Sequence, residues 1–299
     1  MNKLDDATLA SAVRALPRWF SSCENDEIWR KICNSIWPST TDPRLLHAIT
    51  AFSSTHRSFY FDSTLSASYR LPTLTSLSAT SELISAVDIY YKDQVIHSKV
   101  LQTGTVTERF FSHPFTLNAL DPTERIRTPL KYDGDYSATV SLAVEHLRVS
   151  WIVIDPHSKR AVNIASHVAV ASQILANGDI ELCYATVAAD ASGKLVLFAV
   201  RATCGWMGRE ELHLKMVTME ITDVNRRILN GRESLWILQA AMEGRRRRID
   251  SKKETDAYKK FKWKAEKVMV AILSMICLML LILILVGWMT AALILLLRY

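Results

Sequence analysis

Residues 268–297 read VMVAILSMICLMLLILILVGWMTAALILLL, thirty positions without one charge. As a helix rising about 1.5 Å per residue, this run reaches about 45 Å, against a hydrocarbon core about 30 Å thick. It carries no polar stripe of the kind a half-buried helix shows to water. The expectation is a transmembrane helix over 268–297, tilted or with one end in the headgroups to absorb the excess length. The flanks set its orientation. Residues 244–267, GRRRRIDSKKETDAYKKFKWKAEK, hold 11 Lys or Arg against 4 Asp or Glu, and only Arg298 follows the run. Positive charge stays on the cytosolic side. The bulk of the chain is therefore expected in the cytosol, held by a single-pass C-terminal anchor to a membrane that the sequence does not name.

The basic segment 244–267 also accounts for the charge balance. The whole chain carries +6, but residues 1–243 alone carry −2. A nucleic-acid-binding domain would put a basic face on the folded part, so nucleic acid is not an expected partner. Two readings of the flank stay open. It fixes topology, or Arg245, Arg246, Arg247, Arg248, Lys252 and Lys253 face anionic lipid, at about 1 kcal/mol each near the surface. The five cysteines, Cys23, Cys33, Cys183, Cys204 and Cys277, form no C-x-x-C pair. Their odd number and wide spacing suit free thiols in a reducing compartment.

Ahead of the anchor the periodicity changes twice. LDDATLASAVRAL offers Asp5 or Asp6 as an N-cap and puts Leu9, Ala12, Val13 and Leu16 on one helix face. Asn25 or Asp26 then caps a helix with two apolar columns, Ile28–Ile32–Ile36 and Trp29–Cys33–Trp37, since positions four apart stack on one face. Pro38 closes it. A third short helix is expected over 44–52, and a Ser/Thr-rich loop or linker over 53–81. From residue 83 the period becomes two. ISAVDIYY and QVIHSKV read as a hairpin across Lys92-Asp93. ATVSLAVEHL, VSWIVID, RAVNIAS, IELCYATVA, KLVLFAVRA and LHLKMVTMEIT read as further strands, enough for an antiparallel sandwich or a strongly bent sheet. Past Thr222 a helix capped by Asp223 and broken at Asn230-Gly231 precedes RESLWILQAAMEG.

Several of these stretches resemble a family of plant F-box proteins. LDDATLASA (residues 4–12) and IWRKICNSIWPSTTDPR (28–44) match the later part of that family's F-box. HRSFYFDS (56–63), ELISAVDIYYKDQVIHSKV (82–100), SWIVIDPHSKRAVNIAS (150–166) and a basic segment before a hydrophobic end follow in the family's order. The resemblance covers nearly the whole chain. The family's opening Leu-Pro and first F-box helix have no counterpart before Leu4, and Asp6 stands where the family has Gly, so the expected F-box is shortened at its N-terminal end. Periodicity, composition and the resemblance together give an expected α+β fold: a small N-terminal partial F-box cluster (1–52), a linker (53–82), an antiparallel β-rich substrate-recognition domain (83–243), a basic juxtamembrane segment (244–267) and the transmembrane helix (268–297). The resemblance implies a Skp-type adaptor and a cullin complex as partners, with Leu9, Val13, Leu16, Trp29 and Ile32 as adaptor interface or local core. It also implies a target protein of unknown identity.

No nucleotide-binding, nucleophile-elbow or zincin motif occurs. None of the eight histidines has a second His four residues away or a Cys at zinc-finger spacing. The expectation is a non-catalytic receptor with no cofactor and no metal. A second function class is a membrane-anchored β-domain that binds a ligand or glycan. For it, Trp206 beside glycine is the better platform, while Trp151 in VSWIVID reads as core.

Overall fold

The computed structural model describes residues 25–131, 135–207 and 211–297. The helix expected over LDDATLASAVRAL lies outside them, and with it Leu9, Val13 and Leu16. The N-terminal helices are α1 (Asp26–Ile36), a 3-10 turn (Pro38–Thr41), α2 (Pro43–Thr50) and α3 (Thr55–Thr64). After β1 (Leu65–Ala67), β2 (Glu82–Tyr91) and β3 (Gln94–Gly104) come α4 (Glu108–Ser112), β4 (Thr116–Asn118), β5 (Ile126–Lys131) and α5 (Tyr136–His146). Then β6 (Leu147–Asp155), β7 (Arg160–Asn163), β8 (His167–Val168), β9 (Ala171–Ile174), β10 (Ile180–Ala189), β11 (Leu195–Met207) and β12 (Glu211–Asp223) follow. The chain closes with α6 (Gly231–Glu243), β13 (Arg246–Arg248) and α7 (Ser251–Leu297).

The strands form two sheets. The first runs β13–β1–β7–β6–β2–β3, with β8 beside β6; the second runs β4–β12–β11–β10–β9, with β5 beside β12. All pairs are antiparallel except β1 with β7. The inner faces meet in one core. Val87, Ile89, Val149 and Trp151 come from the first sheet and Tyr184, Phe198, Val200 and Met219 from the second. Side chains alternate between faces along a strand, so the neighbouring residues point outward, and these are buried as well. Ile84, Ala86, Ile152 and Ile154 lie under the N-terminal helices. Cys183, Ala185, Val187, Leu197 and Ala199 lie under the first half of α7. The molecule is thus a sandwich with a helical layer on each outer face. That double burial explains why the strands read as near-continuous apolar runs such as SWIVID.

The β2–β3 hairpin forms as expected. Lys92 and Asp93 both take left-handed backbone, φ 48° and 64°, the geometry that a two-residue turn between twisted strands requires. Three expectations are corrected. ATVSLAVEHL is a helix: Asp135 accepts from the Ser137 and Ala138 amides and starts α5, overriding the strand bias of Thr139, Val140 and Val144. The loop expected over 53–81 contains α3 and β1, because Phe59 and Ser63 are buried and so fix part of it in place. Asp223 ends β12 instead of capping a helix. Asn230 is the cap of α6, in a reciprocal capping box with Glu233.

Candidate functional site

The N-terminal helical layer is assembled from the stretches that carry the family resemblance. Cys33 in α1 and Trp37, the residue just past its end, turn to the first sheet, with Trp37 edge-on to Phe59 at 5.8 Å. Asp26, at the first turn of α1, accepts from the His56 amide at 3.0 Å and pairs with His56 Nδ1 at 2.9 Å. This ties the start of α1 to the start of α3. Burial opposes ionisation of Asp26, but the hydrogen bonds from Thr55 and His56 outweigh it and hold the carboxyl below its ordinary value. In α3, Asp62 accepts from Arg160 Nε at 2.9 Å, tying the layer to β7.

The end of the W-P-S-T stretch is fixed at Asp88, a fully buried carboxylate on β2. It accepts from the Ser39 amide at 2.9 Å, from the Ser39 hydroxyl and from the Ser98 hydroxyl at 2.6 Å. Burial pushes the Asp88 carboxyl above the ordinary 3.8, with the serine hydrogen bonds acting against it. A raised native pKa disfavours the charged form. The stability this group contributes is therefore full below 3.8 and is lost as pH rises through the higher native value. Asp88→Asn keeps the shape without the charge. It is expected to gain stability relative to the unsubstituted chain between about pH 4 and pH 7, read as urea midpoints at both pH values. A gap between the two proteins that stays constant across that range would refute the assignment.

Trp29 and Ile32 are each 1% exposed and pack with Ile28, Ile36 and Tyr60. Trp29 also lies against Tyr60 and Phe61, at ring-centroid distances of 5.1 and 5.6 Å. Both expected interface residues in the described region are thus core of the helical layer. Truncating a buried tryptophan leaves a cavity that costs about 3–5 kcal/mol, so Trp29→Ala is expected to shift the urea midpoint strongly.

The expected lipid-facing flank divides. Arg246 turns into the protein. It donates to the Ala161 carbonyl at 2.6 Å and the Met242 carbonyl at 2.9 Å, and lies 3.5 Å from Asp62. Arg247 pairs with Glu254, a fully buried carboxylate, and its guanidinium lies 3.7 Å from the centroid of the Tyr69 ring. Strand pairing of β13 with β1 draws both arginines inward. Arg245, Arg248, Lys252 and Lys253 remain exposed.

Composition did not reveal that α7 docks before it becomes apolar. Glu254, Ala257, Tyr258, Phe261 and Ala265 recur at helical spacing on the buried side of the helix, and Ala257, Tyr258 and Phe261 pack on the second sheet. From residue 269 on, the large apolar side chains that are described stand exposed. Among the described residues this is the one helix long and apolar enough, by length and composition, to cross a membrane.

Cys204 is fully buried, and burial pushes its thiol up to about 12, which leaves no thiolate to attack anything at neutral pH. His157 sits in the turn after β6, its amide held by Asp155 at 3.0 Å. No group of three His, Cys, Asp or Glu able to hold a metal occurs among the described residues. Trp206 is half-buried, inclined to Tyr136 at 6.1 Å, and lines none of the described cavities. A stacking platform for a ligand is therefore not favoured. Trp151 fills the core, as read.

Fold and site together define a type of architecture, a β-sandwich with one helical layer built from the N-terminal motifs and another that runs on into an apolar helix. The chain belongs to a family of plant F-box proteins. It is 33% identical over 289 residues to the F-box protein At2g27310 of Arabidopsis thaliana, covering 89% of this chain and 84% of that one. It is 35% identical over 265 residues to the probable F-box protein At2g36090 of the same plant, covering 86% and 77%. A third Arabidopsis relative, the F-box protein At3g44326, is 31% identical over 279 residues, covering 87% of this chain and 75% of its own. No family model matches the chain, and no solved structure matches it.

Proposed function

We propose that this protein is an F-box-type substrate receptor of a Skp–cullin–F-box ubiquitin ligase, held at a membrane by α7. The observation that carries the reading is the relationship to F-box proteins along most of the chain. The structure adds support, since the stretches that carry the resemblance interlock through Ser39–Asp88 and Arg160–Asp62. The proposed division of labour follows the expected boundaries. Residues 1–52 meet the adaptor, 83–243 present a target, and 268–297 lie in the bilayer with the bulk of the chain in the cytosol. Leu9, Val13 and Leu16 make the adaptor contact, while Trp29 and Ile32 hold the layer in shape beneath it. The receptor does no bond chemistry. It raises the effective concentration of its target beside the ubiquitin-conjugating enzyme.

Affinity purification of the full chain from plant membranes is expected to retain a Skp-type adaptor. Replacing Leu9, Val13 and Leu16 together by Glu is expected to remove it while the urea midpoint stays unchanged. An adaptor absent from the unsubstituted chain, or retained by the triple variant, would refute the assignment.

A further inference from the structure

On the reading that 268–297 span a bilayer, we propose that the last turns of the docked half of α7 form an anionic-lipid headgroup site. It is made by Lys259, Lys260, Lys264 and Lys267 around Trp263, and the arginines at the start of the basic segment are not part of it.

The placement follows from helix geometry. The headgroup layer is about 5–8 Å thick on each side of the hydrocarbon, and charge is felt about 8 Å beyond it at physiological salt. Lys267 and Lys264 lie within about 6 Å along the axis from residue 268, and Lys260 and Lys259 within about 14 Å. Lys252 and Lys253 lie more than about 20 Å away, beyond the reach of the surface charge. The pattern around the helix agrees. Phe261 and Ala265 face the second sheet at 4% and 1% exposure. Lys259, Trp263 and Lys267 recur every four residues and project to the opposite side, all exposed. Trp263 is 58% exposed, although a large aromatic on a docked helix could have been buried against the sheet. The Lys267 amine sits 3.8 Å from the centroid of its ring. An indole beside lysine ammonium groups, one turn ahead of an apolar run, matches the interfacial zone, where an amphipathic ring sits at headgroup depth. Arg226, in the turn after β12, approaches Glu266 at 4.0 Å and so brings one more cation from the β domain to the same level. The occupant is a lipid surface with net negative headgroups, because the cations adjoin the apolar segment directly and five lysines, Lys262 among them, lie within one 9-residue stretch.

The full chain is reconstituted into liposomes of phosphatidylcholine alone and of phosphatidylcholine with phosphatidylserine. Flotation is scored first, then lysine acylation rates are read residue by residue by mass spectrometry. The expected result is flotation with both lipids. Phosphatidylserine should slow acylation of Lys259, Lys260, Lys264 and Lys267 by about fivefold or more, an effect of roughly 1 kcal/mol per site, and leave Lys252 and Lys253 unchanged. Failure to float refutes the membrane reading itself. Flotation with equal rates in both lipids overturns the headgroup site alone. Equal slowing at Lys252 and Lys253 also overturns it, since the helix would then lie along the surface.

Discussion

A fragment of residues 83–222 is expected to show no cooperative unfolding transition, while residues 25–267 are expected to unfold in one step. Sequence periodicity favours the shorter fragment, because the two-residue period begins and ends there. The packing favours the longer one. Leu235, Leu238 and Met242 of α6 lie in the core between the sheets, and burying each is worth about 1.5–3 kcal/mol. Their loss alone approaches the roughly 5–15 kcal/mol by which a whole domain is stable. The fragment would also bare Ile84, Ile152 and Ile154 on one sheet and Val187 and Leu197 on the other. Urea titrations followed by circular dichroism would separate the cases, and a sharp transition in the short fragment would show that the helical layers are accessory.

Arg247→Ala is expected to destabilise the chain by about 3–5 kcal/mol, because it leaves the buried Glu254 carboxylate without a partner. In detergent this is a fall of about 1–5 M in the urea midpoint, with about 1–3 kcal/mol per molar for the denaturant slope. Arg247→Met combined with Glu254→Gln removes both charges and is expected to recover much of the loss. A lipid-facing Arg247 predicts the opposite pattern, with the midpoint of Arg247→Ala unchanged and only membrane affinity reduced.

How far the sequence could be read is clear residue by residue. The strands of the sandwich were legible because Val, Ile and Tyr alternate in runs such as those on either side of Lys92-Asp93. The long apolar helix was legible because thirty uncharged residues admit few other readings. The family was legible from the order of its motifs. Hidden were the partners that make sense of single residues. Arg246 looks like one more cation until Asp62, far back along the chain, is placed 3.5 Å from it. Glu254 looks like a solvated acid until it is found fully buried and paired with Arg247. Residues 138–147 looked like a strand because β-branched side chains outweighed the single capping aspartate that starts α5. In each case the deciding contact is remote in sequence, or a local cap competes with propensity.

From Ser251 to Val286 α7 contains neither glycine nor proline, and one unbroken helix of 47 residues joins the sheet it covers to the segment proposed to lie in the bilayer. A mast without a joint holds its load at one angle, curving only gently, and turns with it about the membrane normal. As it turns, the N-terminal helices, on the far side of both sheets, sweep a circle parallel to the membrane. Their altitude above the lipid stays constant while their compass bearing is free. A ligase assembled on those helices would work at one height, so it would choose among the lysines of a neighbouring protein by elevation before it chose by sequence.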